Sequence, residues 1–270
     1  MSSRTVPTVV SDAWSELRRH TPARIALGRS GISLPTAPHL AFQLAHAQAR
    51  DAVHRELDVA ATAGAIGGLG LAGLTLRSEA ADRHIYLRRP DLGRRLDATS
   101  IAAIRAYPVA GPIDVCVVVA DGLSALAVER HAAPFLGAWL DDLRRASAAW
   151  RIGPVALVRQ GRVAVGDDVG EAFAAALVVV LIGERPGLSS PDSMGLYLTW
   201  APRRGRHDAQ RNCISNIRPE GLAYTDAARR TTYLVGEAFA RRLTGVDLKD
   251  ESTAIPELAG EAGRNFLLAD

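Results

Sequence analysis

Cysteine is nearly missing from this 270-residue chain, which has only Cys116 and Cys213. Two thiols exclude a disulfide scaffold and fit a reducing compartment. Lysine is scarcer still. Lys249 is the sole lysine, so 31 of the 32 basic residues are arginine, whose forked guanidinium keeps its charge. Charge of one sign does not dominate: the net value is +3, too small an excess to demand a nucleic-acid partner. Met1 to Thr8 has no apolar core and so is no secretory signal. One uncharged stretch, Val59 to Leu76, has the 18 residues of a marginal membrane span. Its glycines (64, 67, 68, 70 and 73) leave it weakly hydrophobic and argue against insertion. A helix end, a glycine turn and a buried strand, Leu71 to Leu76, are expected there instead.

What is present describes a globular protein. The apolar fraction is 48% and the charged fraction 23%, which excludes wholesale disorder. The length suits one large domain or two smaller ones. Residues 1–11 read as frayed. Ser11 is placed to cap a helix over Asp12 to His20, and Thr21-Pro22 predicts a second short helix ending at Gly28. Thr36 is placed to cap a helix over Pro38 to Leu57. Ser78 to Leu87 and Leu92 to Ala106 suit further helices, separated by Arg88-Arg89-Pro90-Asp91. Residues 12–97 therefore predict a small, mainly helical N-terminal domain.

The pattern changes after Pro108. Val115–Ala120 and Leu177–Ile182 are unbroken, β-branched runs, with weaker versions at Pro154–Val158, Leu196–Trp200 and Cys213–Ile217. Helical stretches lie between several of them, at Leu123–Trp150, Val169–Ala176 and Thr225–Leu243. Continuous apolar strands alternating with helices imply a parallel sheet covered on both faces. The fold class expected is α/β, with residues 98–270 forming a Rossmann-like, mostly parallel sheet domain.

Ligands of open parallel sheets bind beyond the carboxyl ends of the strands. Three strands end there in polar, glycine-bearing turns: Asp121-Gly122-Leu123-Ser124, Arg159-Gln160-Gly161-Arg162-Val163 and Gly183-Glu184-Arg185-Pro186-Gly187. Asp121, Arg159, Arg162, Glu184 and Arg185 are thereby brought near one edge. Such turns favour glycine and aspartate even without a ligand, and pattern alone does not separate the two readings. The glycine-rich dinucleotide fingerprint is missing, which argues against nicotinamide binding. Ser124 lacks the nucleophile elbow of a serine hydrolase. The seven histidines form no close metal-ligand spacing, although His39 and His46 can share a helix face. Cys116 reads as an inert core thiol, whereas Cys213 sits in a polar setting that suits a pocket wall. Arg88-Arg89 with Arg94-Arg95, and Arg203-Arg204 with Arg206, are basic clusters that suit phosphates, solvated faces or subunit contacts.

The segments TPARIALGRSG (21–31), YLRRPDLGRRL (86–96), ADGLSA (120–125), GERPGLSSPDS (183–193) and RNCISNIRPEG (211–221) closely resemble the small (light) subunit family of ethanolamine ammonia-lyase. The likeness runs in order from about residue 12 to the C-terminus. It implies a subunit of an adenosylcobalamin-dependent lyase that converts ethanolamine to acetaldehyde and ammonia by a radical route. In that family a barrel-forming large subunit binds ethanolamine, and nothing in this chain could form such a barrel. The small subunit supplies part of the cobalamin site at the interface, within an assembly of six large and six small chains. Carried over motif by motif, the implied cofactor contacts are Val163, Glu184 and Cys213. No residue of this chain is assigned a bond-breaking role or a metal. The Ala60–Gly73 stretch is richer in glycine than the family pattern. The leader that some members carry, linked to packaging in a bacterial microcompartment, is nearly absent. The expected location is the cytoplasm, with a microcompartment as the alternative the family allows.

Two other classes compete. An arginine-rich nucleic-acid-binding α/β module requires one dominant basic face, but acidic residues intersperse most of the arginines. A stand-alone α/β enzyme would use Asp121 and Glu184 as an acid–base pair. No membrane association is expected.

Overall fold

The computed structural model describes residues 8–146 and 149–252. A six-stranded sheet in the order β1-β3-β2-β4-β5-β6 organises the chain. The strands are β1 (Gly73–Arg77), β2 (Val115–Ala120), β3 (Val155–Arg159), β4 (Leu177–Gly183), β5 (Met194–Trp200) and β6 (Arg211–Ile217). The first four in that order run parallel, and β5 and β6 are antiparallel to their neighbours. The α/β class and the mostly parallel sheet are therefore as the alternating runs predict. The two C-terminal strands depart from a fully parallel arrangement. Ten residues between β4 and β5, and ten between β5 and β6, hold no covering helix, so each pair closes as a hairpin.

The two unbroken runs become the centre of the sheet, and every residue of β2 and β4 is buried. Side chains alternate across a strand, so each run feeds two cores. Val117, Val119, Val179 and Leu181 pack under α2 (Val59–Gly67), α5 (Ala125–Arg145) and α7 (Tyr224–Arg241). Cys116, Val118, Val178 and Val180 pack on the other face with α4 (Ala98–Ala106) and α6 (Val165–Ala172). Apolar burial of this kind stabilises by about 25 cal/mol per Å². Burial without a charged partner pushes the Cys116 thiol up to about 12, consistent with an inert core thiol.

The N-terminal third departs further from expectation. The first helical turns, Ala13–His20, are 3-10 in type and capped by Asp12, not Ser11. No helix follows Thr21-Pro22. The Thr21 hydroxyl instead accepts from the Ala23 amide, and Val10 and Arg29 exchange a pair of backbone hydrogen bonds. Ala26 and Gly28 sit in the left-handed region, which stops a helix from continuing. The long helix α1 is Thr36–His54, so Thr36 is its first residue and not its cap. The predicted Ser78–Leu87 helix shrinks to α3 (Arg83–Arg88), because Asp82 accepts from the Ile85 amide and starts it there. Leu92–Ala106 breaks into a 3-10 turn and α4, which Asp97 caps. The strand expected at Leu71–Leu76 lies at Gly73–Arg77, at the sheet edge, with only Leu76 fully buried. Its pairing with β3 carries the sheet into the segment before residue 98. No helix among the described residues is long and apolar enough to cross a membrane.

Candidate functional site

The connection leaving β2 runs to β3 on one side, and the one leaving β4 runs to β5 on the other. The two loops diverge, which opens a crevice beyond the carboxyl ends of β2 and β4. A recess of about 400 Å³ lies there. Leu123, Val163 and Ile182 give it apolar walls, Tyr86 and Tyr197 flank it, and Glu184, Arg162 and Arg185 supply charge.

Glycines hold the two loops together. The Leu123 amide donates to the Gly183 carbonyl at 2.9 Å. A methyl group on Gly183 would collide with the Ser124 carbonyl, and one on Gly122 with the Gly183 carbonyl. Gly122 also has φ +56°, which favours glycine. The third loop is fixed to the first by Asp121. Its buried carboxylate accepts from the Gln160 and Gly161 amides, both at 2.9 Å. Burial pushes this carboxyl up to about 6, against the pull of the Arg83 guanidinium 3.7 Å away. Arg83 itself donates to the carbonyls of Val53 (2.6 Å) and Gly122 (2.8 Å). It lies 4.7 Å from the centre of the Tyr86 ring, and Arg162 lies 4.4 Å from the same ring. Both distances suit cation–π contact.

Of the three implied cofactor residues, Val163 and Glu184 share this recess. The Glu184 carboxylate accepts from the Ser193 hydroxyl and, weakly at 3.3 Å, from the Asn216 amide. Cys213 is exposed on β6, paired across the strands with the recess residue Tyr197, and its Sγ lies 3.2 Å from the Ser215 hydroxyl. Of the other strand-end residues, Arg162 and Arg185 reach the recess. Arg159 turns to Glu56 at 3.2 Å, and Asp121 is committed to backbone amides. An Asp121–Glu184 acid–base pair is therefore not assembled.

Sequence reasoning missed Tyr86, Arg83, Ser193 and Tyr197. Arg83 and Tyr86 lie far along the chain from the turns they serve, Ser193 closes the same connection as Glu184, and only the polar character of the neighbouring segments hinted at them. Of the basic clusters, Arg89 pairs with Asp91 at 2.7 Å, Arg204 with Asp168 at 2.6 Å and Arg95, more loosely, with Glu79 at 3.7 Å, while Arg206 donates to the Ala201 carbonyl. His39 and His46 are exposed on α1, and no group of three metal-ligating side chains lies together among the described residues.

The recess can also be tested against the implied cofactor. A corrin rim carries methyl groups and amides, and so asks for apolar walls with both donors and acceptors. Val163, Leu123 and Ile182 meet the first need, Glu184 accepts, and Arg162 and Arg185 donate. The buried Arg162 Nε has no partner among the described residues. The volume suits an edge or a side chain of so large a molecule, not the whole. The residues therefore fit part of such a ligand, not the whole of it.

An α/β chain with a mixed apolar and charged recess at a divergence of parallel strands falls into the class that binds ligands across the sheet's carboxyl edge. Comparison with known proteins makes the assignment specific. The family model for the ethanolamine ammonia-lyase light chain matches residues 11–249. An ethanolamine ammonia-lyase small subunit of Pseudomonas aeruginosa (strain UCBPP-PA14) is 59% identical over 260 residues, 95% of this chain and 94% of the relative. That of Azotobacter vinelandii is 56% identical over 273 residues and the full length of both. That of Ralstonia nicotianae is 58% identical over 267 residues, 98% and 97% of the two chains. The chain belongs to the ethanolamine ammonia-lyase small-subunit, or light-chain, family.

Proposed function

We propose that this chain is the small subunit of an adenosylcobalamin-dependent ethanolamine ammonia-lyase, active only in complex with its large subunit. The observation that carries the reading is the meeting of Val163 and Glu184 at one recess, in a chain of this family. When bound, adenosylcobalamin supplies the radical chemistry that removes ammonia from ethanolamine and leaves acetaldehyde. This chain's residues bind, orient and shield. Val163 packs on the corrin or its nucleotide tail. Glu184 accepts hydrogen bonds from corrin amides, its own orientation held by Ser193. Cys213 makes close contact from β6. Arg162 and Arg185 donate to amide carbonyls or the tail phosphate.

Residues 98–270 act as the Rossmann-like, cobalamin-contacting domain. The N-terminal segment exposes Trp14, Leu17, Leu40, Phe42 and Leu44, an apolar surface that supports docking on the large subunit. Six large and six small chains then assemble, with ethanolamine bound by the large ones. The cytoplasm, or a microcompartment within it, is the proposed location.

Two measurements test the reading. The purified chain should have no deaminase activity, and activity should appear on mixing with the large subunit and adenosylcobalamin. Turnover by the single chain would sink the proposal. In the complex, Glu184→Ala should weaken cobalamin binding by about 0.5–1.5 kcal/mol, the loss of one hydrogen bond to a neutral amide. Unchanged affinity in a titration removes Glu184 from the site.

A further inference from the structure

The segment from Glu184 to Ser193 joins β4 to β5, and its last three residues are each held in a different way. The Ser124 hydroxyl, at the start of α5, donates to the Pro191 carbonyl at 2.8 Å. Asp192 receives Arg130 Nη1 at 2.8 Å and lies 3.3 Å from His131 Nε2. Ser193 spends its carbonyl on the Glu184 amide at 2.9 Å and its hydroxyl on the Glu184 carboxylate. The chain of contacts continues behind His131, whose Nδ1 lies 2.8 Å from the Tyr224 hydroxyl at the start of α7. Burial pushes the His131 pKa down and that of Tyr224 up. The neutral imidazole and the protonated phenol form one directed series: Tyr224 O–H donates to Nδ1, and Nε2–H donates to Asp192. None of Arg130, His131, Asp192 and Tyr224 lines the recess, and no step of the proposed function uses them.

We propose that Asp192 is a positioning residue: clamped by Arg130 and His131 of α5, it fixes Ser193 and, through the Ser193 hydroxyl, aims the Glu184 carboxylate at the recess. Glutamate has three rotatable side-chain bonds, and ordering such a side chain has an entropic cost that a fixed hydroxyl partner meets in advance. The clamp joins the first turns of α5 and the start of α7 to the one acidic side chain of the recess. A partner chain that pressed on either helix would thereby bear on cofactor affinity.

The inference rests on the reading that the recess takes part of the cobalamin, and the experiment separates the two. Complexes of the large subunit with wild-type, Asp192→Asn, Asp192→Ala, Glu184→Gln and Glu184→Gln/Asp192→Ala small subunits are titrated with adenosylcobalamin by absorbance. Hydrogen–deuterium exchange is followed over residues 184–193 of the small subunit without cofactor. Asp192→Ala should raise exchange at the Glu184 amide and weaken binding by about three- to tenfold, the worth of one hydrogen bond. Asp192→Asn retains one acceptor and should lie between Asp192→Ala and wild type. The double variant should bind no more weakly than Glu184→Gln alone, because the two residues act through one contact. Unchanged exchange in Asp192→Ala overturns the positioning role whatever the cofactor does. Weakened binding in Glu184→Gln with unchanged binding in both Asp192 variants overturns it while leaving the recess reading intact. Unchanged binding in Glu184→Gln overturns the recess reading, and with it the functional half of this inference. Additive losses in the double variant overturn the shared route.

Discussion

Replacing Arg83 by methionine keeps an unbranched apolar stem as far as the position of Nε and removes the guanidinium fork with its charge. In the wild type this buried guanidinium donates to the carbonyls of Val53 and Gly122 and faces the Asp121 carboxylate at 3.7 Å. It thereby joins the end of α1, the end of β2 and, through Asp121, the loop after β3. The variant leaves two carbonyls without a donor and a buried carboxylate without a counter-charge. Removing one partner of a buried ion pair costs about 3–5 kcal/mol. The loss should depend on pH, because the Asp121 carboxyl, held up to about 6, can take a proton and shed its charge. The folded pKa lies above the unfolded one. This group's contribution is therefore complete below about pH 4 and is lost as pH rises through about 6. Without Arg83 the folded pKa climbs higher, so the gap between variant and wild type widens with pH. We expect about 3–5 kcal/mol at pH 8. At pH 5 it should fall to about 1–2 kcal/mol, the worth of the two carbonyl bonds. Urea unfolding of both chains at the two pH values, followed by far-ultraviolet circular dichroism, measures the gap. Other titrating groups cancel in the difference if they lie far from Arg83. A double variant, Arg83→Met/Asp121→Asn, strands no charge and should regain part of the loss at pH 8. A gap that is the same at both pH values, or below about 1 kcal/mol at pH 8, would refute the account of Arg83 as a partner of a buried charge.

Gly183→Ala should prevent folding or lower stability by more than about 3 kcal/mol, because its methyl group meets the Ser124 backbone, which cannot give way; soluble yield and thermal melting report it. His131→Gln should flatten the acid side of the stability profile. Burial holds the His131 pKa below that of the unfolded chain, so wild type loses stability as pH falls through about 6.5, and a glutamine does not titrate. Denaturant midpoints at pH 7 and pH 5 compare the two. Deleting residues 1–34 should leave the sheet folded, with melting within about 4 °C of the full chain, yet impair co-purification with the large subunit. The cut stops there because Ala45, Ala49, Ala52 and Leu57 are buried and Val53 receives Arg83. Undiminished co-purification would assign the exposed apolar surface to another purpose.

The amino-acid sequence determined by itself whatever depends on neighbouring residues. Val115–Ala120 and Leu177–Ile182 are strands because four or more consecutive β-branched or aliphatic side chains fit only a pleat buried on both faces. The polar turns after them marked the recess edge, and five segments sufficed to mark the family. Helix starts were poorly legible: Ser11, Thr21 and Thr36, which local pattern singles out, cap no helix, whereas Asp58, Asp82 and Asp97, which it passed over, do. Tertiary structure decided the rest. Val10 pairs with Arg29 and draws the Thr21-Pro22 segment out of the helical region. The direction of β5 and β6 follows from hairpin closure, which apolar content does not encode. Asp121 looked like a catalytic acid and proved to be a backbone staple, because its donors lie 39 and 40 residues away. Asp192, which no local pattern singles out, meets His131 across 61 residues. Hydrogen bonds between distant segments form only once burial has brought those segments together, and no local propensity records where they will be.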